Sequence, residues 1–181
     1  DLIPAQLIHE GTITAENLFA PEPVDESEIL NTHESAYWNK LKTLSLDRSE
    51  ERRTGFPLSA SLVERERIIA QGTIDCAGYA LEHGAALNVA GGTHHAFTDR
   101  GEGFCLLNDI ALAANYLLRT GRVKQVLVAD LDVHQGNGTA AIFEQDDAVY
   151  TFSMHGEKNF PFRKVASDLD IALPDGAGDD Q

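Results

Sequence analysis

Short apolar runs alternate with helical patterns in the second half of the chain. The runs cover residues 85–90, 125–129, 149–152 and 171–173, and the helical patterns cover residues 108–119 and 138–144. Continuous apolar runs that alternate with helices are typical of βαβ units, in which a parallel sheet is covered on both faces. The pattern therefore predicts an α/β fold with a three-layer α/β/α architecture and a mainly parallel sheet.

The first part of the chain has a more mixed pattern. Aromatic and leucine side chains at helical spacing predict a helix over residues 35–44 that lays one face on a core. Charged residues followed by Gly55-Phe56-Pro57 indicate an exposed loop over residues 46–56. Shorter helical turns are expected at residues 11–17 and 25–30.

A long helical pattern follows this loop. Ser61 and Glu64 have the spacing of a capping box, which predicts that the helix begins there. The pattern continues to His83, with an expected interruption near residues 71–72 and a C-terminal stop at Gly84.

Composition and charge exclude several classes of function. The 181 residues carry a formal net charge of −15, which argues against nucleic acid because phosphate binding needs a basic face. A hydrophobic fraction of 43% indicates a globular protein rather than a disordered one. No apolar run has the ~20 residues of a membrane span. Only two cysteines are present, so a reduced, cytoplasmic protein is expected.

Candidate chemistry follows two of the predicted strands. His94 and His95 come after the first apolar run, and Asp130, Asp132 and His134 come after the second. In extended geometry the last three side chains would project to one side, because they are two residues apart. Carboxylate and imidazole donors suit zinc. Ligands bind at the carboxyl ends of such strands, so we expect a metal site there, with His94 or His95 as general base.

Each imidazole also needs a partner that fixes its tautomer, and Asp130 and Asn137 are candidates. The alternative is that these Asp and His residues only cap helices and form loop hydrogen bonds. The remaining histidines are interpreted as structural: His9, His33, His83 and His155.

Three sequence blocks, at residues 91–96, 103–109 and 130–138, together resemble the histone deacetylase superfamily. Gln135 and Asn137 are most similar to the class IV enzymes and their bacterial relatives. The resemblance implies an arginase/deacetylase-like α/β fold. It also implies hydrolysis of acyl-lysine or acylpolyamine amides with one zinc ion.

The resemblance also implies roles for individual residues. Asp132 and His134 match two of the three zinc ligands of the family. His95 matches the general base that acts on the attacking water, with Asn137 as its partner. His94 matches the first histidine of the site, with Asp130 as its partner.

Two further groups of residues follow from the resemblance. Gly103 and Phe104 match one wall of a narrow acyl-lysine channel, and Phe160 matches the opposite wall, although both phenylalanines could equally be ordinary core residues. A structural potassium ion, held mostly by backbone oxygens, is implied at five residues: Asp130, Asp132, His134, Ser153 and Met154.

Two parts of the family's machinery have no counterpart in these residues. The third zinc ligand, a downstream aspartate, and the tyrosine that donates to the oxyanion are not matched by any residue after His134. We therefore expect residues 1–181 to be the N-terminal and central part of a single deacetylase domain. This polypeptide alone is expected to be inactive or nearly so.

Two other functions are open. A ureohydrolase with two manganese ions would need a further acid two residues after His134, where this chain has Gly136. A non-catalytic remnant or fragment that acts only as a partner surface is the alternative from a different class. The substrate is open among an acyl-lysine peptide, an acylpolyamine and a small acylated amine, and the oligomeric state is not predicted.

Overall fold

The computed structural model describes residues 2–178. Helices and strands divide these residues into an N-terminal helical part and a C-terminal sheet. The helices are α1 Leu2–His9, α2 Glu26–Ile29, α3 Ser35–Lys42, α4 Arg48–Thr54, α5 Ala60–His83, α6 Asp109–Arg119 and α7 Asn137–Phe143, with a 3-10 helix at Ala15–Asn17. The strands are β1 Val126–Asp130, β2 Val149–Gly156 and β3 Leu169–Leu173.

The sheet is parallel and has the strand order β1-β2-β3. Val128 and Val149 lie on the face that α6 and α7 cover, and they form a core with Ala111, Ala114 and Phe143. The predicted α/β class with a parallel sheet is confirmed, and three of the four predicted strands are present. The sequence pattern located them because each strand contains a short run of apolar residues, although no residue of β3 is buried among the described residues.

The opposite face of the described sheet also carries apolar side chains, but these are exposed: Leu127, Tyr150, Leu169 and Ile171. The register pairs Leu127 with Tyr150 across β1 and β2, so two large side chains lie next to each other on this face. Among the described residues, only the face toward α6 and α7 is covered.

The larger core lies between helices. Tyr37, Trp38 and Leu41 of α3 pack with α5 and α6, so the helix predicted over residues 35–44 is confirmed, ending at Lys42. The longest helix, α5, has charged residues along its length. No helix within residues 2–178 is long and apolar enough to cross a membrane.

The predicted details of α5 were wrong at two points. Its N-cap is Ser59, whose hydroxyl accepts from the backbone N–H of Leu62 at 3.2 Å, so Ser61 and Glu64 do not form the capping box. The helix also continues through Gly72 without interruption. A Cβ at Gly72 would lie 3.0 Å from Asn88 and 3.3 Å from Pro21, so this glycine allows close packing rather than a break.

Residues 46–56 are not an exposed loop, because most of them form α4. Asp47 caps this helix by accepting from the backbone N–H groups of Ser49 and Glu50, and Glu50 accepts from the N–H of Asp47 in return. Gly55 ends the helix at a φ of 79°, in the left-handed region that favours glycine. The charged residues indicated a loop, but they form a helix that is stabilised by a cap at each end.

The predicted strand at residues 85–90 is also wrong, since this segment is coil and turn. Leu87 and Val89 are exposed, and in residues 2–178 the segment pairs with no strand. Asn88 attaches it to α5 instead, because its side-chain amide donates to the carbonyl of Ile69 at 3.0 Å and to Thr73 Oγ1 at 2.8 Å. A short apolar run becomes a strand only where a neighbouring strand can pair with it.

His33 joins the two halves of the helical core, which supports its structural interpretation. It is 3% exposed, its Nδ1 lies 2.9 Å from the carbonyl of Phe97, and its Nε2 accepts from the backbone N–H of Asn108 at 3.0 Å. One nitrogen must therefore donate while the other accepts, which requires a neutral ring. Burial lowers the pKa of His33 to about 4.

We expect His33 to make stability depend on pH. Its folded pKa is lower than its unfolded one, so the unfolded state binds more protons between these values and stability is lost as pH falls through this window. The contribution of His33 to the free energy of unfolding should decrease by roughly 2 kcal/mol between pH 7 and pH 5.

Urea unfolding of the wild type and His33→Gln at both pH values measures this contribution. The variant should show the smaller loss of stability on acidification, whereas His83→Gln, at an exposed histidine, should behave as the wild type does. Equal losses in the wild type and His33→Gln would contradict the prediction.

Candidate functional site

The chain turns sharply after β1, at the carboxyl end of the sheet. The Oδ1 of Asp130 accepts from the backbone N–H of Asp132 at 3.0 Å, and the Oδ1 of Asp132 accepts from the N–H of His134 at 2.7 Å. Each aspartate thus organises the backbone two residues further on, as in an Asx turn. The predicted extended geometry is therefore wrong beyond Asp130, but the three side chains still meet at this edge.

The segment that carries the two active-site histidine candidates is held by one carboxylate. Asp109, 1% exposed at the start of α6, accepts from the backbone N–H groups of Gly92 at 3.1 Å and Thr93 at 2.7 Å. It also accepts from the hydroxyls of Thr93 and Thr73 at 2.6 and 2.5 Å. These bonds replace the strand that the sequence predicts before His94.

His94 forms a buried pair with Asp130. Its Nδ1 lies 2.5 Å from Asp130 Oδ2, and the two side chains are 8% and 10% exposed. Its other nitrogen, Nε2, lies 3.9 Å from Asp132 Oδ1. A Cβ at Gly136 would collide with the Asp130 carboxylate and lie 3.3 Å from His94 Nδ1. The pair therefore requires glycine at position 136, which leaves no room for the acid that a ureohydrolase would place there.

His95 lies beside His94, with the ring centroids 4.1 Å apart, and it pairs with the first residue of α7. Its Nδ1 is 2.7 Å from Asn137 Oδ1. Burial, and secondarily the neighbouring His94, lower the pKa of His95 to about 4. His95 is therefore neutral at pH 7, and one of its ring nitrogens has a free lone pair.

The predicted channel residues are only partly brought together. Phe160 contacts His95 edge to face at 4.9 Å between centroids, and a Cβ at Gly103 would lie 2.7 Å from His95 Cδ2 and 3.0 Å from Phe160. Gly103 and Phe160 therefore both border His95. Phe104 instead lies against Gly55, has its ring centroid 5.3 Å from that of Phe56, and is 65% exposed.

Gln135 holds the segment that carries Phe160, a role that sequence reasoning missed. Its side-chain amide donates to the carbonyl of Val165 at 2.7 Å and accepts from the N–H of Val165 at 3.0 Å. It also donates to Asp170 Oδ1 at 2.8 Å. Gln135 is 1% exposed, so these bonds fix the segment to the edge of the sheet. A glutamine inside a motif rich in site residues is the signal that could have identified it.

The residues expected at the potassium site come from the end of β1, the turn that follows it and the second half of β2. Asp130 is paired with Ser153 in the sheet register, and Met154 is the next residue of β2. The hydroxyl of Ser153 is 3.0 Å from His155 Nδ1, and both residues are buried. His155 thus has a structural hydrogen bond, in agreement with its interpretation as a structural residue.

Asp132 and His134 have the chemistry and spacing of a partial zinc site. Asp132 Oδ1 and His134 Nδ1 are 3.0 Å apart, and the two side chains are 51% and 44% exposed. Two ligands of a tetrahedral zinc ion, each ~2.0–2.1 Å from the metal, lie about 3.3 Å from each other. Within residues 2–178 no group of three His, Cys, Asp or Glu side chains could hold a metal ion. The distance between Asp132 and His134 is therefore compatible with two ligand positions of one zinc ion.

The fold and the position of the histidines define an arginase/deacetylase-like α/β protein, and solved structures agree with this class. The HDAC homologue from Aquifex aeolicus matches with a TM-score of 0.79 and 26% identity, over 96% of this chain and 52% of that one. An HDAC homologue complexed with SAHA matches with a TM-score of 0.76 and 26% identity, over 93% of this chain and 50% of that one. The predicted three-layer fold class is thereby confirmed.

The model of the histone deacetylase domain matches residues 1–180, so the chain belongs to the histone deacetylase family. An uncharacterized protein of Picosynechococcus sp. is 46% identical over 179 residues, which cover 99% of this chain and 60% of that protein. Histone deacetylase 2 of Arabidopsis thaliana is 28% identical, over 86% of this chain and 42% of that protein. The chain thus spans about half the length of such relatives.

We expect Asp109→Asn to destabilise the fold although the side chain keeps its size. An amide supplies one accepting oxygen and an NH2 group, so at least one N–H or hydroxyl of Gly92, Thr93 or Thr73 would lose its acceptor. The loss of a buried charged partner should cost about 1–3 kcal/mol of the free energy of unfolding. Urea unfolding measures this cost. Asp147→Asn, at an exposed position, is the matched control, and equal stabilities of the two variants would contradict the prediction.

Proposed function

We propose that this chain carries part of the active site of a zinc-dependent hydrolase that removes acyl groups from lysine or polyamine amides. One observation carries the proposal. Two oriented histidine pairs, His94 with Asp130 and His95 with Asn137, lie beside Asp132 and His134 at the carboxyl edge of a parallel sheet. Membership of the histone deacetylase family supports the same reaction class.

Asp132 and His134 would hold the zinc ion. When bound, zinc would polarise the acyl carbonyl and lower the pKa of a water molecule. The two ligands reach this place because Asp132 organises the backbone of His134 through its own carboxylate. We also propose a structural potassium ion at the five residues that the family resemblance implies, because the ends of β1 and β2 bring Asp130 and Ser153 together.

His95 would act as the general base. Its low pKa keeps the ring neutral at pH 7, and Asn137 engages Nδ1, so Nε2 is the nitrogen that would take the proton of the attacking water. His94 would complete the proton transfers, since Asp130 accepts the Nδ1 proton and leaves Nε2 directed toward the Asp132 side of the site. Protonation of the leaving amine by a histidine completes the hydrolysis.

The proposed substrate is an acylated amine in which the methylene groups next to the acylated nitrogen form a narrow, uncharged segment. Gly103 and Phe160 border His95 and would form the apolar wall along which the lysine or polyamine methylenes lie. Phe104 would contribute at the rim, because its exposed ring lies away from His95 on Gly55. We further propose a reducing, cytoplasmic location, since Cys76 and Cys105 are both free and buried.

The 181-residue chain alone is proposed to bind zinc weakly and to have little or no activity. Two zinc ligands are fewer than the three of a catalytic zinc site. Tyr150, the last tyrosine of the sequence, lies on the exposed face of β2. This position does not place its hydroxyl in the site as an oxyanion donor. Loss of such a donor alone typically costs about 10²–10³ in rate.

Zinc titration and turnover test these statements together. His134→Ala should weaken zinc binding by more than the ~10–100-fold that loss of a ligand's partner costs, because it removes one of two ligands. His83→Ala, at an exposed histidine far along the sequence, is the matched control and should leave zinc binding unchanged. Metal content is measured after equilibrium dialysis.

Turnover is measured with acetyl-lysine peptides and acetylpolyamines, and the longer Picosynechococcus relative is assayed in parallel. We expect hydrolysis by the relative and almost none by this chain. Zinc binding that is the same in His134→Ala and the wild type would overturn the proposed ligand role. Tight stoichiometric zinc with rapid hydrolysis by this chain would overturn the proposed inactivity.

A further inference from the structure

Glu102 lies one hydrogen bond beyond the His95–Asn137 pair. Its Oε1 accepts from Asn137 Nδ2 at 3.2 Å, and its side chain is 20% exposed. We propose that Glu102 is a positioning residue that selects the tautomer of His95 by fixing the orientation of the Asn137 amide. This inference rests on the proposed function only for its consequence in catalysis, since the tautomer itself is a property of these three side chains.

The backbone of Glu102 is held firmly. Its N–H donates to the carbonyl of Cys105 at 3.0 Å, and the N–H of Cys105 donates back at 2.9 Å, so the intervening residues form a tight turn. The N–H groups of Gly103 and Phe104 in this turn donate to the last carbonyls of α4, those of Arg53 and Thr54. The turn is therefore attached to a helix end, and the Glu102 side chain starts from a fixed point.

A positive charge also lies near the second carboxylate oxygen of Glu102. The Nε of Arg100 lies 3.9 Å from Glu102 Oε2, and the guanidinium group of Arg100 stacks on Phe97 at 3.6 Å from the ring centroid. This arrangement leaves Oε1 directed at Asn137. Arg100, whose guanidinium group also donates to Asp99 at 2.8 Å, adds a weaker attraction that favours the same orientation of the carboxylate.

The orientation of an asparagine amide is set by its neighbours, because its oxygen accepts and its NH2 group donates. A carboxylate has only acceptor oxygens, so the NH2 group of Asn137 must face Glu102. The amide oxygen then faces His95, as the 2.7 Å contact shows. An accepting oxygen requires a donor opposite it, so the proton of the neutral His95 ring resides on Nδ1 and the lone pair resides on Nε2.

The opposite amide orientation would have the opposite effect. An NH2 group facing His95 would stabilise a lone pair at Nδ1 and place the ring proton on Nε2. In the proposed reaction such a ring could not accept a proton at Nε2. Glu102 therefore acts through Asn137 and does not touch the reacting atoms.

Nitrogen NMR of the protein with ¹⁵N-labelled histidine tests the inference without metal or substrate, because long-range ¹H–¹⁵N correlations distinguish the two neutral tautomers. The wild type should show His95 with its proton on Nδ1. Glu102→Met removes both acceptor oxygens at similar side-chain length, and it should lower the ratio of the Nδ1–H to the Nε2–H tautomer about tenfold, as expected for the loss of one buried hydrogen bond.

Two further variants sharpen the test. Glu102→Gln can present either an oxygen or an NH2 group to Asn137, so its tautomer ratio should lie between those of the wild type and Glu102→Met. Glu144→Met is the matched control, because Glu144 is an exposed glutamate at the end of α7, the helix that begins with Asn137. It should leave the tautomer of His95 unchanged.

Three results would overturn the inference: a wild type with its His95 proton on Nε2, an unchanged ratio in Glu102→Met, or a lower ratio in Glu102→Gln than in Glu102→Met. The first needs no variant, so the test remains decisive if a substitution prevents folding. Failure of the proposed hydrolase function would appear separately, as absent turnover by the longer Picosynechococcus relative while the tautomer pattern of this chain is the expected one.

Discussion

The buried carboxylate of Asp109 joins three parts of the chain on which the site depends. It stands at the N-terminus of α6, where free N–H groups and the helix dipole favour a negative charge. Its oxygens accept from Thr73 of α5 and from the segment of Gly92 and Thr93 that leads into the two histidines. A buried charge is stable only when such bonds satisfy it. The helical core and the histidine segment therefore adopt their positions together.

The site itself is formed where this helical unit meets the sheet. His94 and His95 belong to the segment that Asp109 attaches to the helices, and Asp130 lies at the end of β1. The 2.5 Å contact between His94 and Asp130 joins the two sides, and the N–H of Thr139 in α7 donates to the carbonyl of His94 at 3.1 Å. A displacement of α6 or α7 against the sheet would therefore change the geometry of both histidine pairs.

Sequence reasoning located the elements whose apolar faces are buried locally, such as α6 and β1, and it located the candidate site residues from their motifs. It failed where the outcome depends on distant partners. The apolar run at residues 85–90 became coil because Asn88 bonds to α5 and no described strand lies beside it. No local pattern records the contact of Phe104 with Gly55, about fifty residues away, while the channel role of Phe104 stays a prediction. The role of Glu102 depends equally on a distant residue, Asn137, and on a turn attached to α4.

The two halves of the candidate site differ in the burial of their side chains and in the hydrogen bonds that orient them. His94 and His95 are buried, and each is bonded to an oriented partner, whereas Asp132 and His134 are about half exposed. Asp132 already accepts from the backbone of His134, so this ligand pair would need little rearrangement to bind a metal. In the proposed reaction, the proton-transfer apparatus is therefore fixed by the folded core. Metal binding in the same proposal would depend on Asp132 and His134, the more exposed half of the site.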